Sequence, residues 1–289
     1  MCVDIMKITN RKNLPSAFVN MAEEQRQIIK GYYSVTTLLN PVREILLKRK
    51  YDKMIEQDVS DMAWLFLGTA VHHFLEKHNK EGFAEISMEQ NILPNYYLTG
   101  KCDLYSREKC LIVDYKTASV WKWMFGDFED WKKQGMMYAW LLYKRGEFVE
   151  RMQFIAILKD WTARDKRSKG DEYPDCPIQV WEYKITPKDF ADIEKFIFEK
   201  FNLIDKCIKS GKLPYCTEEE RWNSGSKFAV MKKNHKRATR VFDTEEEAKN
   251  YIANKEGDFI EKRPGEDRKC QDYCLAVEYC KKLKEREEK

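Results

Sequence analysis

The chain has 289 residues, of which 43% are hydrophobic and 35% are charged, and its formal net charge at pH 7 is +4. This length and apolar content allow one large domain with a real core, or a core with a small appendage. The sequence has no apolar run long enough to cross a bilayer and no visible secretory signal, so we expect a cytoplasmic protein without a membrane partner. So small a net charge does not by itself predict nucleic-acid binding.

Hydrophobic periodicity and turn residues predict alternating helices and strands. In chain order, we expect a loose arm with a short helix (1–30), two helices (36–51 and 62–78), three strands (85–93, 97–105 and 109–115), a helix (129–144), two strands (153–158 and 178–185) around a charged loop (161–177), a capped helix (186–208), a hairpin (228–231 and 239–242), a helix that starts at Thr244, and a charged tail (281–289). We expect residues 1–210 to form an α/β core with its N-terminal arm, and residues 211–289 to form a C-terminal extension packed on it.

Two neighbouring predicted strands carry acidic residues and a lysine. Asp103 lies on one of them, and Asp114 and Lys116 lie on the next, after the apolar run at 111–113. Side chains alternate along a strand, so Asp114 and Lys116 point the same way while Tyr115 points into the opposite layer. A charged pair on a buried strand is costly unless it is paired, hydrogen-bonded or bound to metal, and two converging carboxylates suit Mg²⁺ or Mn²⁺. Alone, however, the Asp-x-Lys pattern is also typical of a solvated strand edge.

Short motifs follow one another along the chain: Gly68-x-x-x-His72, Gly100-x-x-Asp103, Asp114-Tyr115-Lys116 and Gln134-x-x-x-Tyr138. Each motif is weak alone. In this order and at these spacings they resemble the PD-(D/E)XK nuclease superfamily, specifically its RecB-like and phage-exonuclease branch. The motifs cover about a quarter of the chain. The resemblance implies an α/β, restriction-endonuclease-like core, in which helices flank a mixed central sheet.

The resemblance also implies roles for the residues on the strands. Asp103 and Asp114 match the metal-binding carboxylates, and the backbone carbonyl of Tyr115 is expected to complete the site for Mg²⁺ or Mn²⁺. Lys116 matches the catalytic lysine. Phosphodiester hydrolysis needs a metal to neutralise developing charge and a positioned water, which such a lysine can orient.

The helical motifs supply the remaining candidates. His72 matches a histidine that lies by the metal, although His73 would face inward if the helix packed in another register. Gln134 and Tyr138 match residues that contact the substrate phosphate or hold the site together, and their spacing puts them on one helix face. Tyr138 also lies in an apolar stripe that is typical of a core helix. Two further acidic residues are candidates near the metal, namely Glu76 and Glu89.

The implied function is a metal-dependent DNA nuclease, more specifically an exonuclease of phage or prophage origin that acts in recombination or repair, in a bacterial or infected host cell. DNA is the expected partner, with a single-strand annealing or recombination protein as a second. The alternative is a catalytically silent nuclease fold used as a DNA-binding or assembly module, and the intact Asp103, Asp114 and Lys116 speak against it. A nucleotide-dependent enzyme lacks support, because the sequence contains no G-x-x-x-x-G-K-[ST] element.

Nine cysteines in a cytoplasmic chain argue against a disulfide framework. Cys270, Cys274 and Cys280 cluster near the C terminus, and Cys216 lies in a loop-like stretch, so the four could hold Zn²⁺ or an iron–sulfur cluster. Related RecB-like nucleases carry such a cluster on three C-terminal cysteines and one N-terminal cysteine. Here the matching N-terminal stretch, 39–43, has no cysteine, so Cys216 is the candidate replacement. The alternative is that Cys274 and Cys280 are buried thiols on a terminal helix.

The segment 221–242 is strongly basic. It contains seven cations and no Asp or Glu, and the cations are Arg221, Lys227, Lys232, Lys233, Lys236, Arg237 and Arg240. Such a segment can follow the phosphates of DNA, or it can form a solvated hairpin on the surface of a highly charged protein. The sequence leaves both interpretations open.

Overall fold

A computed structural model describes residues 7–24, 28–254 and 258–281. Contacts among them divide the chain into two compact units, with the boundary after Leu213. In these ranges no helix is both long enough and apolar enough to cross a membrane. Most of the predicted charged tail, at 282–289, lies outside the described residues.

The first unit has the predicted α/β fold, with helices flanking a mixed sheet. Its elements are β1 (Lys7–Thr9), α1 (Ser16–Glu24), β2 (Tyr32–Ser34), α2 (Val35–Leu38), α3 (Val42–Lys50), β3 (Glu56–Asp58), α4 (Ala63–His78), β4 (Phe83–Leu93), β5 (Tyr96–Ser106), β6 (Leu111–Ala118), α5 (Val120–Phe125), α6 (Glu129–Lys144), β7 (Arg151–Leu158), α7 (Ala163–Lys169), β8 (Ile178–Lys184) and α8 (Pro187–Ser210). The helix predicted at 129–144 coincides with α6.

The single helix predicted at 36–51 is wrong, because Pro41 divides it into α2 and α3. A proline pushes the preceding residue away from helical dihedrals. Pro41 itself is extended, with φ −55° and ψ 141°. The N–H of Asn40 donates to the Thr37 carbonyl at 3.0 Å, which closes the end of α2. Apolar residues recur at helical spacing on both sides of this break, so periodicity alone did not reveal it.

The predictions of a charged loop at 161–177 and of a loose arm at the N terminus are also wrong in part. Residues 163–169 form α7, where the Thr162 side chain accepts a hydrogen bond from the Asp165 N–H at 3.0 Å. This Thr-x-x-Asp cap was a usable signal, but the surrounding charge concealed it. Within the arm, β1 pairs in parallel with β3.

The main sheet has the order β2-β5-β6-β7-β8, and β4 also pairs with β5. The pairs β4–β5, β5–β6 and β7–β8 are antiparallel, whereas β2–β5 and β6–β7 are parallel. A parallel pair needs a long crossover, and α5 and α6 supply the one between β6 and β7.

The strand β5 is only partly paired along one of its two edges. Its pairing with β4 runs along 96–105. Because a strand has only two edges, β2 and β6 must share the other one, where β2 pairs with 97–99 and β6 pairs with 104–106. Within the described part of the chain, residues 100–103 therefore have no strand beside them on that edge, and the predicted motif Gly100-x-x-Asp103 falls in this gap.

Helices cover both faces of the sheet. On one face, α6 is buried against the sheet and against α8, which presents Ile193, Ile197 and Phe201 at helical spacing. On the other face, α4 packs on β6, where a Cβ built on Gly68 would lie 3.5 Å from Thr117 Oγ1. The gap in the sheet thus lies between two packed helices.

The second unit is built on a small antiparallel sheet. Its elements are β9 (Lys227–Met231), β10 (Arg240–Phe242), α9 (Glu245–Asn254), β11 (Phe259–Arg263) and α10 (Arg268–Asp272). The predicted hairpin is present as β9 and β10, and β9 lies in the centre of the order β10-β9-β11. The strand β11 was not predicted, because its charged residues show no clear alternation.

Gly135→Ala should lower the free energy of unfolding by about 1–3 kcal/mol, because a Cβ there would lie 2.6 Å from Met152 Sδ and 2.8 Å from Phe154 Cζ. Both of those side chains are fully buried. Gly68→Ala is the matched control, since its Cβ has room and alanine favours a helix by up to about 1 kcal/mol. Urea denaturation measures both variants, and equal stabilities would contradict the prediction.

Candidate active site

The candidate site lies where β5 and β6 separate. Their ladder ends at Leu104 opposite Val113, so Asp103 and Asp114 are the first residues beyond it. The N–H of Tyr115 donates to Asp103 Oδ2 at 2.8 Å instead of to the backbone of β5. Side chains from the two faces of the sheet can approach each other across this gap.

His72 reaches the same carboxylate from α4. Its Nδ1 lies 2.9 Å from Asp103 Oδ1, so His72 and the Tyr115 N–H each hold one oxygen of Asp103. This hydrogen bond is the main cause that raises the pKa of His72, and burial partly opposes it. With Nδ1 engaged, Nε2 is the nitrogen that remains for a metal. The neighbouring His73 faces solvent, with 78% of its side chain exposed.

A chain of polar groups connects Asp114 to α6. Lys116 Nζ lies 2.6 Å from Asp114 Oδ2 and donates to Gln134 Oε1 at 2.8 Å. Gln134 Nε2 in turn donates to the Tyr138 hydroxyl at 2.9 Å. Both ends of the Gln134 amide are therefore engaged by protein groups, and this amide fixes the position of the lysine ammonium.

Asp114 is buried, with 2% of its surface exposed. Burial is the main cause that raises the pKa of Asp114, and Lys116 opposes the rise while Asp103 adds to it. Asp114 Oδ2 lies 2.6 Å from Lys116 Nζ, and this contact lowers the pKa of Asp114 against the effect of burial. A buried carboxylate that is paired with one ammonium can also serve as a ligand of a divalent cation.

The donors around the gap are hard oxygens. The N–H and C=O groups of a strand residue point to the same side of the strand. The Tyr115 carbonyl therefore points toward the gap, as does the Tyr115 N–H that donates to Asp103. Among the described residues, no group of three or more His, Cys, Asp or Glu side chains is arranged to hold a metal ion. The groups that could hold Mg²⁺ or Mn²⁺ here are the two carboxylates and the Tyr115 carbonyl, with His72 beside Asp103.

The motif glycine on β5 allows α6 to approach the sheet closely. A Cβ on Gly100 would lie 2.8 Å from Leu141 Cδ1 and 3.1 Å from Tyr138 Cδ1. Tyr138 is buried in the core, and burial is the main cause that raises its pKa, so its hydroxyl stays protonated. Tyr138 therefore belongs both to the core stripe of α6 and to the polar chain that leads to Lys116.

The two further acidic candidates do not reach Asp103. Glu76 Oε2 lies 3.8 Å from His73 Nδ1 rather than beside His72. Glu89 is exposed and pairs across the sheet with Thr99, four residues along β5 from Asp103. The Tyr115 ring also packs edge-on against the His72 ring, with the ring centres 6.3 Å apart, a contact that was not predicted from the sequence. Strand alternation, which turns Tyr115 away from Lys116, was the signal for it.

Cys216 lies within electrostatic range of the three other candidate cysteines of the second unit, but among the described residues these side chains do not converge as a metal-binding group. Burial is the main cause that raises the pKa of Cys216 to about 11, and three other thiols add to the rise, namely Cys270, Cys274 and Cys280. Hydrogen bonds join the two segments that carry them. Arg221 Nη1 donates to the Cys216 carbonyl at 2.6 Å, and the Lys269 N–H donates to the Arg221 carbonyl at 3.1 Å.

Acidic residues from elsewhere in the sequence neutralise part of the basic segment. Arg221 Nε lies 3.0 Å from Asp267 Oδ2, and Lys227 forms an ion pair with Asp243. The turn between β9 and β10 carries the other group of cations, which are Lys232, Lys233, Lys236 and Arg237. Four of the seven cations of the segment thus lie in this turn, where the Lys233 N–H donates to the Asp258 carboxylate.

Residues 27–281 match the protein-family model of the PD-(D/E)XK nuclease superfamily. A search of curated proteins found no match. Among solved structures, the chain is similar to that of SSO0001, with 21% identity, 64% of this chain and 84% of that chain covered, and a TM-score of 0.46.

Two exonuclease structures are also similar to this chain. For a phage-related exonuclease from Haemophilus somnus 129PT, the identity is 12%, the covered shares are 68% of this chain and 83% of that chain, and the TM-score is 0.33. For LHK-Exo in complex with dAMP, the identity is 10%, the covered shares are 59% of this chain and 81% of that chain, and the TM-score is 0.38. Similarities this distant carry no argument about activity.

Proposed function

Because the chain belongs to the PD-(D/E)XK nuclease superfamily, we propose that it is a DNA nuclease that depends on Mg²⁺ or Mn²⁺ and hydrolyses phosphodiester bonds. The observation that carries the proposal is the contact network of Asp103, Asp114 and Lys116 at the gap in the sheet. We further propose an exonuclease of phage or prophage origin that acts in recombination or repair, with a single-strand annealing or recombination protein as its partner.

Each residue of the network has a distinct part in this proposal. Asp103, Asp114 and the Tyr115 carbonyl would hold the metal, and His72 would orient Asp103 or bind through Nε2. Bound there, the cation supplies charge neutralisation at the scissile phosphate. Lys116 orients the attacking water, and its own position is set by Gln134.

A catalytically silent fold is the alternative proposal, in which the same residues serve only DNA binding or assembly. Incubation of linear DNA with the purified protein separates the two, with Mn²⁺ in one arm and excess EDTA in the other. Cleavage only in the metal arm supports the nuclease, and intact DNA in both arms supports the silent fold. A time course on end-labelled linear, nicked and circular DNA then tests whether the activity needs an end.

Asp114→Asn and Lys116→Ala should each reduce the cleavage rate by at least about 100-fold, because each removes a group that acts mainly on the transition state. Asp127→Asn, an exposed acid on a loop, is the matched control and should cleave at the wild-type rate. Circular dichroism checks that all three variants remain folded. A folded Asp114→Asn variant that cleaves normally with added Mg²⁺ would falsify the assignment of the site.

We propose separately that Cys216, Cys270, Cys274 and Cys280 hold an iron–sulfur cluster or Zn²⁺. The supporting observation is that Cys216 lies within electrostatic range of the three others although it is far from them in sequence. Four thiolates suit either group. Bound there, the metal centre would cross-link the two segments that carry these cysteines.

Cys216→Ser should therefore remove the metal centre and loosen the second unit, whereas Cys176→Ser, an exposed cysteine of the first unit, should do neither. Anaerobic purification followed by elemental and sulfide analysis gives the iron, zinc and sulfide content of each variant. Proteolysis reports the stability of residues 214–289. A wild-type protein that is folded and contains neither zinc nor iron would rule out this assignment.

The cationic turn at 232–237 is proposed to add to DNA affinity rather than to the chemistry. Replacing Lys232, Lys233, Lys236 and Arg237 by Gln should weaken binding and lower the slope of log affinity against log salt by about 3, because fewer counterions are released. The matched control is the same change at exposed lysines of α8, namely Lys188, Lys195, Lys206 and Lys209. Equal slopes for the two quadruple variants would show a solvated turn without a role in binding.

A further inference from the structure

Large aromatic side chains are exposed around the carboxyl end of β6. Trp64 is 62% exposed, Trp121 is 56% exposed and Phe125 is 76% exposed. Rings of this size normally contribute to a core, and an exposed group of them marks a surface that binds something. We refer to these residues as the aromatic surface.

The fold ties the aromatic surface to the same strand that carries the candidate lysine. After Lys116, β6 ends at Ala118 and leads directly into α5, which carries Trp121. The carbonyl of Ala118 accepts a hydrogen bond from the Lys159 N–H at 3.0 Å. The side chain of Lys159 in turn places its ammonium 3.8 Å from the centre of the Trp64 ring. Both tryptophans thereby lie at one end of β6.

The exposure of α5 follows from its anchoring. Val120 is buried and Trp123 packs on Phe128, with ring centres 5.2 Å apart, so this side of the short helix belongs to the core. Trp121 and Phe125 lie on the other side and stack on each other at 5.8 Å. Because the core already contains one side of α5, the exposed rings form the outer face of this helix.

Cations accompany these rings. Besides Lys159 over Trp64, the ammonium of Lys169 lies 5.8 Å from the centre of the Trp121 ring. The helix α7, which carries Lys169, also exposes Arg164 and Arg167.

Two of the nearby acids, Asp160 and Asp165, have local structural roles. The Asp160 carboxylate accepts the Val120 N–H at 2.7 Å, and the Asp165 carboxylate accepts the Thr162 hydroxyl at 2.9 Å. The aromatic surface therefore presents exposed ring faces next to the positively charged side chains of Lys159 and Lys169.

We propose that the aromatic surface binds single-stranded nucleic acid next to the cleavage site, with bases stacked on Trp64, Trp121 and Phe125 and phosphates beside the lysines. Aromatic rings interleaved with cations are the composition of such sites, and a duplex keeps its base faces covered. The core of a protein interface would instead be depleted of charge. The inference rests on the proposed nuclease function and defines its substrate class, a strand that is single-stranded beside the scissile phosphate.

The test measures the affinity of the full chain for a fluorescent oligothymidine of about 12 nucleotides, a length within the range of known single-strand sites. All variants carry Lys116→Ala, so that the probe stays intact while any metal remains bound. Trp64→Ala and Trp121→Ala should each raise Kd about tenfold or more, since a lost stacking partner weakens binding by that order. Phe148→Ala is the matched control, because this ring is 65% exposed and lies just before the amino end of β7. Since β6 and β7 are parallel, this is the end of the strands opposite the aromatic surface.

An abasic oligomer of equal length and charge provides the second arm. It should bind more weakly than oligothymidine, and neither tryptophan substitution should change its Kd. Equal Kd values for the Trp121→Ala and Phe148→Ala variants would overturn the inference. It would also be overturned if Trp121→Ala dissociated an oligomer in sedimentation while leaving Kd unchanged, which would make the surface an interface between copies of the chain. A protein that binds oligothymidine through these rings but never cuts DNA would refute the nuclease and leave the binding surface established.

Discussion

The arrangement of the candidate site depends on one constraint, the shared edge of β5. A strand can pair on two edges only, and β4 occupies one of them along nearly the whole of β5. If β6 had continued its ladder on the other edge, the Tyr115 N–H would bond to backbone, and Asp103 would have lost one of its two partners. Because β2 occupies the far part of this edge instead, β6 separates early, and groups from both faces of the sheet meet in the gap.

The position of Asp114 at this gap also has a consequence for its charge. Asp114 lies in the buried interior of the sheet, where a carboxylate is unfavourable unless other groups stabilise it. Lys116 provides part of that stabilisation, and the amide of Gln134 and the hydroxyl of Tyr138 hold the lysine. This polar chain ends at Tyr138, on the buried side of α6. The same helix therefore packs against the sheet and positions the Lys116 ammonium. A change in α6 packing would therefore alter the chemistry as well as the stability.

The sequence predicted those parts of the molecule whose signals are local. Periodicity located α6 to the residue, and strand alternation placed Asp114 and Lys116 on one side of β6, as their contact requires. The gap itself was not predictable, because it arises from a parallel pairing between β2 and β5 that joins distant residues and leaves no local pattern. The same reason explains why acidic residues beyond the basic segment, such as Asp267, were not recognised as partners of its cations.

The exposed rings at the end of β6 illustrate a different limit of sequence reasoning. Trp121 and Trp123 are two residues apart in the same short helix, and hydropathy treats them alike. The structure separates them, because a helix of six residues has one side to pack and Val120 and Trp123 already fill it. Natural sequences tend to depart from local rules at functional positions. A tryptophan kept in solvent beside a lysine, directly after the strand that carries the candidate catalytic groups, is such a departure, and the proposed stacking on an unpaired base would give it a physical reason.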